Sequence, residues 1–121
     1  MAFTVFLVED SPILRSRLEV MLGAISGASV AGSASGAKAA IEGILAGRPD
    51  AVVLDLHLDE GNGFDVLKAL QAAAVQAAVY VLTNFPSEPY RRKAASLGAR
   101  GFFDKSSEFD RLREALAAHA A

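Results

Sequence analysis

Cysteine is absent from the 121 residues, and with it go disulfide staples, thiolate metal sites and cysteine nucleophiles. Histidine occurs only twice, at His57 and His119, too far apart in sequence to suggest a zinc site. Net positive charge is missing as well: 12 Lys and Arg stand against 14 Asp and Glu, a formal charge of -2. A basic stripe that neutralises phosphates is therefore not expected, and neither is direct contact with nucleic acid. No apolar run approaches the ~18 to 20 residues of a membrane span. The apolar start, Phe3 to Val8, has no Lys or Arg before it and runs into Glu9 and Asp10, unlike a signal peptide. A cytoplasmic protein with no membrane insertion is the expectation. Two further motifs are lacking. No glycine-rich turn follows the first apolar run, which removes the phosphate cradle of dinucleotide and P-loop sites, and no Gly-x-Ser-x-Gly elbow is present for a serine hydrolase.

What is present is a hydrophobic fraction of 52% with 21% charged residues, the composition of a chain with its own core. At roughly 150 residues per average domain, 1–121 reads as one domain with no effector domain attached. Phe3 to Val8 is a short apolar run favouring a strand buried on both faces. Ser11-Pro12 then opens a helix whose Leu14, Leu18, Met21, Leu22 and Ile25 recur at helical spacing until Gly27. Ser29 to Ser33 is a weak edge strand between that stop and a second helix from about Gly36 to Ala46. Ala51 to Leu54 is a central strand ending at Asp55, and Phe64, Leu67 and Leu70 mark a third helix reaching the alanines 72–74. Ala77 to Leu82 gives a fourth strand ending at Thr83. Pro86 and Ser87 open a helix through Leu97 that Gly98 closes. Gly101 to Phe103 is a fifth strand, and Ser106 or Ser107 is expected to cap a last helix carrying Phe109, Leu112 and Leu116.

Five continuously apolar strands alternating with five helices imply an α/β fold, a doubly wound five-stranded parallel sheet with helices on both faces. Function in such sheets gathers beyond the carboxyl ends of the strands. There the chain places Glu9-Asp10, Asp55, Thr83-Asn84 and Asp104-Lys105. Each alone reads equally well as a cap or loop residue. Jointly, carboxylates crowded at the edge of an apolar sheet repel unless a cation neutralises them, and an all-oxygen set suits a hard ion such as Mg2+. An aspartate in such a place can itself be the nucleophile that takes a phosphoryl group.

These residues resemble the receiver domain of bacterial two-component response regulators, the CheY-like family. The resemblance rests on Val8-Glu9-Asp10-Ser11-Pro12, on Leu54-Asp55-Leu56-His57-Leu58 followed by Gly63, on Val81-Leu82-Thr83 and on Leu97 to Lys105, in that order and over essentially the whole chain. It implies the flavodoxin-like strand order 2-1-3-4-5. It implies too that Asp55 accepts a phosphoryl group from a histidine kinase or phosphotransfer protein, with Asp10, Asp55 and the His57 carbonyl holding Mg2+ and Glu9 acting through a coordinated water. Lys105 would pair with phosphate oxygens, Thr83 would move to donate its hydroxyl to them, and Phe102 would turn inward as Thr83 moves. Output would be to a downstream protein over the helix 4 to helix 5 face, from a monomer or weak dimer, with at most slow self-dephosphorylation rather than enzymatic turnover.

The chain departs from the family at three places. Asp59 stands where proline is usual, which leaves the loop after Asp55 more acidic and freer to move. Ser106 replaces the usual proline after Lys105, so a trans bond is expected there. Asn84 is larger than the usual residue after the switch threonine. His57 and Phe85 fall at positions that flank the entrance to the phosphoryl site in this family, and read equally as solvent-facing side chains. The run Arg91-Arg92-Lys93 reads as a solvated face rather than a docking patch. Two other functions compete: a phosphorylation-independent adaptor with the same fold, and an aspartyl-nucleophile phosphatase, against which His57 stands where that class has a second aspartate.

Overall fold

The computed structural model describes residues 2–121. Its elements run β1 (Phe3–Val8), α1 (Pro12–Gly23), β2 (Ala28–Ala34), α2 (Ala37–Gly47), β3 (Ala51–Leu54), α3 (Gly63–Ala72), β4 (Ala78–Thr83), α4 (Glu88–Ser96), β5 (Gly101–Asp104) and α5 (Phe109–Ala120). All strand pairs are parallel and the order is β2-β1-β3-β4-β5, as the resemblance implies.

Continuous apolarity in the central strands serves two cores. Phe6, Val8, Val52, Leu54, Val79 and Val81 face α2, α3 and α4, where Ile44, Leu67 and Ala94 are fully buried or nearly so. Val5, Leu7, Val53, Tyr80 and Leu82 face the other way, against Leu18 and Leu22 of α1 and Leu112 and Leu116 of α5. Successive side chains of a strand point to opposite faces, so a strand sandwiched between helices must be apolar at every position. β2 departs from this rule because it is an edge strand, largely exposed and kinked where its register against β1 shifts between Val5 and Phe6. Its small residues also make room for Phe6: a Cβ on Gly32 would lie 2.9 Å from that ring, and one on Gly43 of α2 only 2.7 Å.

The helix ends follow the local chemistry, with two corrections. Ser11 accepts the Leu14 N–H at 3.3 Å, Ser87 accepts that of Tyr90 at 3.3 Å, and Asn62 and Asp65 exchange side-chain-to-backbone bonds in a reciprocal capping box. α1, however, stops at Gly23 rather than near Gly27; Ile25 reaches the core from a turn held by its N–H to the Leu22 carbonyl, 3.0 Å. Neither Ser106 nor Ser107 caps α5. Ser106 is turned back to Asp104, donating its N–H (2.9 Å) and hydroxyl (2.8 Å) to that carboxylate, and Glu108 occupies the cap without a side-chain bond to the helix. The Lys105–Ser106 bond is trans, in keeping with the loss of proline there. No helix among the described residues is long and apolar enough to cross a membrane.

Candidate functional site

The chain reverses its direction of travel across the sheet between β1 and β3, and a cleft opens beyond the carboxyl ends of strands at such a point. Register carries the acidic residues into it. Val8 pairs with Leu54, the Asp55 N–H donates to the Val8 carbonyl at 3.0 Å, and Glu9 and Asp10 therefore sit beside Asp55. Across β4, Thr83 pairs with Asp104, and the Lys105 N–H donates to the Thr83 carbonyl at 2.9 Å, which brings the lysine to the same rim.

Glu9, Asp10 and Asp55 each offer a carboxylate oxygen within 4.8 Å of the others. Glu9 and Asp55 are 2% and 4% exposed, while Asp10 is open to solvent. Among the described residues, one cation forms ion pairs with them. Lys105 Nζ lies 2.7 Å from Asp55 Oδ2 and 3.0 Å from Glu9 Oε1, with its side chain only 12% exposed. Three carboxylates against one ammonium leave an excess of negative charge in a partly desolvated place, and the ionisation of Glu9 records it. Burial pushes its pKa up to about 7; Asp55 adds to the rise, while the Ser11 N–H at 3.0 Å and Lys105 oppose it. For Lys105, burial alone would lower the pKa, but the bonds and charges of Asp55 and then Glu9 outweigh it and hold the ammonium above its ordinary value. Such a donor set, hard oxygens with uncompensated charge and one open side, fits a divalent cation such as Mg2+.

The remaining residues surround this centre. Thr83 is fully buried, and its hydroxyl accepts the Phe85 N–H at 3.1 Å. The His57 N–H donates to Asp55 Oδ1 at 3.2 Å. The exposed His57 side chain is not simply solvent-facing: its ring stacks on Phe85, centroids 4.1 Å apart, so that the loops after β3 and β4 are joined. Gly63 lets α3 start hard against the end of β3, because a Cβ there would lie 2.5 Å from the Asp55 carbonyl oxygen. Phe102 is buried against the α4 side of the core, the inward orientation that the resemblance associates with the phosphorylated form.

Three partnerships at this end were not legible in the sequence. Arg15 donates to the Glu9 carbonyl at 3.2 Å, steadying the β1–α1 turn. Arg91 donates to the Phe102 carbonyl at 3.2 Å and lies 4.8 Å over that ring, while Lys93 lies 4.4 Å over Phe64. The basic run is solvated as expected: Arg92 is 72% and Arg91 41% exposed at the side chain, and Lys93 is exposed as well. Arg91 and Lys93 make cation–π contacts while keeping that exposure, contacts no sequence periodicity announces.

An acidic pocket with one lysine, at the switch point of a 2-1-3-4-5 sheet, defines a class of doubly wound domains built to handle a cation and an anionic group together. The chain belongs to the response regulator receiver domain family of two-component systems, whose family model matches residues 5–117. The DNA-binding transcriptional activator DevR/DosR of Mycobacterium tuberculosis is 32% identical over 112 residues, covering 93% of this chain and 52% of that protein. The nitrate/nitrite response regulator NarL of Escherichia coli is 29% identical over 118 residues, 98% of this chain and 55% of that one. The chain thus spans about half the length of these curated relatives. A LuxR-family two-component response regulator from an Aurantimonas species superposes with a TM-score of 0.91 at 27% identity, covering 99% of this chain and 86% of that one. The response regulator domain of Thermotoga maritima CheB shares the fold, with a TM-score of 0.86 at 23% identity over 99% of this chain and 94% of that chain.

Proposed function

We propose that Asp55 is the phosphoacceptor of this receiver domain and that Thr83, Lys105 and the Glu9–Asp10 pair serve it. The observation that carries the reading is the convergence of three carboxylates on one buried lysine, with Lys105 Nζ 2.7 Å from Asp55 Oδ2. A carboxylate oxygen of Asp55 attacks the phosphorus of a donor phosphoimidazole. The new O–P bond forms as the P–N bond breaks, and its electron pair returns to the imidazole nitrogen, which takes a proton. Glu9, Asp10, Asp55 and the His57 carbonyl are the groups that would hold Mg2+, which supplies positive charge to the equatorial phosphoryl oxygens. Lys105, held by two carboxylates, is placed to follow those oxygens as Asp55 loses its charge.

The acyl phosphate then offers about -1.5 to -2 of charge beside Thr83. The Thr83 hydroxyl, at present an acceptor from Phe85 N–H, gains a stronger partner and shifts toward it. Phe102 already lies inward, so the shift of Thr83 would favour that orientation, and with it Arg91 over the ring and one form of the α4–β5–α5 surface for a downstream protein. Hydrolysis returns the carboxylate and inorganic phosphate, so the domain is a switch consumed and reset rather than an enzyme with turnover of its own. The donor is a histidine kinase or phosphotransfer protein, and output goes to a protein rather than directly to nucleic acid, in keeping with a net charge of -2.

Intact mass after incubation with Mg2+ and acetyl phosphate tests this. One phosphoryl group is expected on the wild type and none on Asp55→Asn. Uptake that survives Asp55→Asn, or no uptake by the wild type, overturns it; binding of a partner equally well by Asp55→Ala would favour an adaptor, and multiple turnover of a phosphomonoester a phosphatase.

A further inference from the structure

We propose that Glu60 is a positioning residue: with the Asp59 amide it clamps the loop carrying Asp55 and His57 to the start of α2, and so sets the geometry in which the pocket takes a divalent cation. The inference rests on the phosphoacceptor reading for its functional meaning, and on independent contacts for its geometry.

The first-turn N–H groups of a helix lack partners within it, and α2 begins after Gly36, which has no side chain to supply one. The partners come from another part of the chain. The Ala37 N–H donates to the Glu60 carbonyl at 2.8 Å, and the Lys38 N–H donates to Glu60 Oε1 at 3.0 Å. One residue earlier, the Asp59 N–H donates to the Ser35 carbonyl at 3.2 Å. Proline, usual at this position in the resembling family, has no N–H and could not make that bond. One residue later, Gly61 has φ +68°, and a Cβ there would lie 2.6 Å from Ala37 Cβ. Three successive residues of the loop are thus seated on the start of α2.

The same loop is anchored at the pocket. His57 N–H holds Asp55 Oδ1 at 3.2 Å, Gly63 N–H holds the Leu56 carbonyl at 2.9 Å, and His57 bridges to Asn62. Only Leu58 separates the His57 carbonyl from the clamped segment. Where a proline would stiffen the loop through its own ring, this chain stiffens it through hydrogen bonds to a helix whose N-terminal partial charge favours a carboxylate. The seating of α2 and the position of the His57 carbonyl are therefore coupled through backbone bonds of residues 59 and 60 and through one side-chain bond, that of Glu60 to the Lys38 N–H.

The test compares the whole chain with Glu60→Ala and Glu60→Gln. Mg2+ affinity is read from backbone amide shifts, helix seating from hydrogen exchange at Ala37 and Lys38, and phosphoryl uptake from intact mass at several Mg2+ concentrations. Glu60→Ala should speed exchange at Lys38, whose amide loses its acceptor, more than at Ala37, whose bond to the backbone carbonyl of residue 60 remains. It should weaken Mg2+ binding about fivefold, the usual worth of a helix cap, with uptake at saturating Mg2+ within about twofold of wild type. Glu60→Gln keeps the carbonyl acceptor without the charge and should stay within about twofold of wild type in every measurement. Wild-type Mg2+ affinity in Glu60→Ala overturns the proposal. So does Glu60→Gln weakened as much as Glu60→Ala, because the carboxylate would then act by its charge, and so does a wild type that binds no Mg2+. A wild type that binds Mg2+ in the expected order but takes up no phosphoryl group defeats the phosphoacceptor reading and leaves the clamp standing.

Discussion

The two ends of the sheet use similar residues in opposite ways. At the amino-terminal edge, Asp50 accepts the Thr4 N–H at 2.8 Å and its hydroxyl at 3.3 Å, while Asp50 donates its own N–H to the Thr4 carbonyl at 2.9 Å. Nearby, the Tyr80 hydroxyl meets His119 Nδ1 at 3.2 Å, tying β4 to the last turn of α5. These groups are satisfied by one another without a cluster of like charges. At the carboxyl-terminal edge Glu9, Asp10 and Asp55 face one another across Lys105, and burial drives Glu9 to a pKa of about 7. Local arrangements that conflict with stability concentrate at functional sites, and the contrast between the edges favours the carboxyl-terminal one as the candidate.

Removing Lys105 is the strongest way to deepen the contrast. Lys105→Ala would leave two buried carboxylates without the cation they pair with, and loss of one partner from a buried ion pair costs about 3 to 5 kcal/mol. Urea unfolding without Mg2+ should show a loss of that order at neutral pH, and added Mg2+ should recover part of it. A loss below about 1 kcal/mol would mean that solvent already screens the pocket.

Relieving the conflict should have the reverse effect. Because the Glu9 pKa is raised in the folded chain from the ordinary 4.5 to about 7, its favourable contribution is complete below about pH 4.5 and is lost as pH rises through about 7. In the absence of Mg2+, Glu9→Gln should remove that slope. The variant should gain on the wild type across this window by on the order of 3 kcal/mol, while binding Mg2+ more weakly. Parallel stability curves for the two proteins between pH 4.5 and 7 would show that Glu9 is ionised throughout.

The same contrast explains what could be read in advance. Asp55, Glu9, Asp10, Thr83 and Lys105 were legible because each follows an apolar run, and a parallel sheet delivers all its strand ends to one rim. The resemblance then supplied the strand order. What was not legible depends on side chains that meet across the fold. A serine before α5 looks like a cap until Asp104 takes its hydroxyl and N–H, and α2 looks uncapped until Glu60 arrives from another loop. Arg91 and Lys93 are solvated charge as they read, but their cation–π contacts were hidden because the ring partners lie on β5 and α3. Periodicity encodes which face of an element is buried, not which distant group meets its ends.

At the satisfied edge the expected effect is the smallest. Asp50→Ala would remove the acceptor of the Thr4 N–H and hydroxyl, both in an exposed place where water can replace it, while the backbone bond from residue 50 to the Thr4 carbonyl needs no side chain. The loss should be about 1 kcal/mol in urea unfolding. Because β1 and β3 remain paired from Val5–Ala51 to Val8–Leu54, Glu9, Asp10 and Asp55 should keep their places. Mg2+ affinity and phosphoryl uptake should therefore match the wild type. A change in either would show that the two edges are mechanically coupled through β1 and β3, and that the contrast between a settled edge and a strained one is drawn along strands that do not act independently.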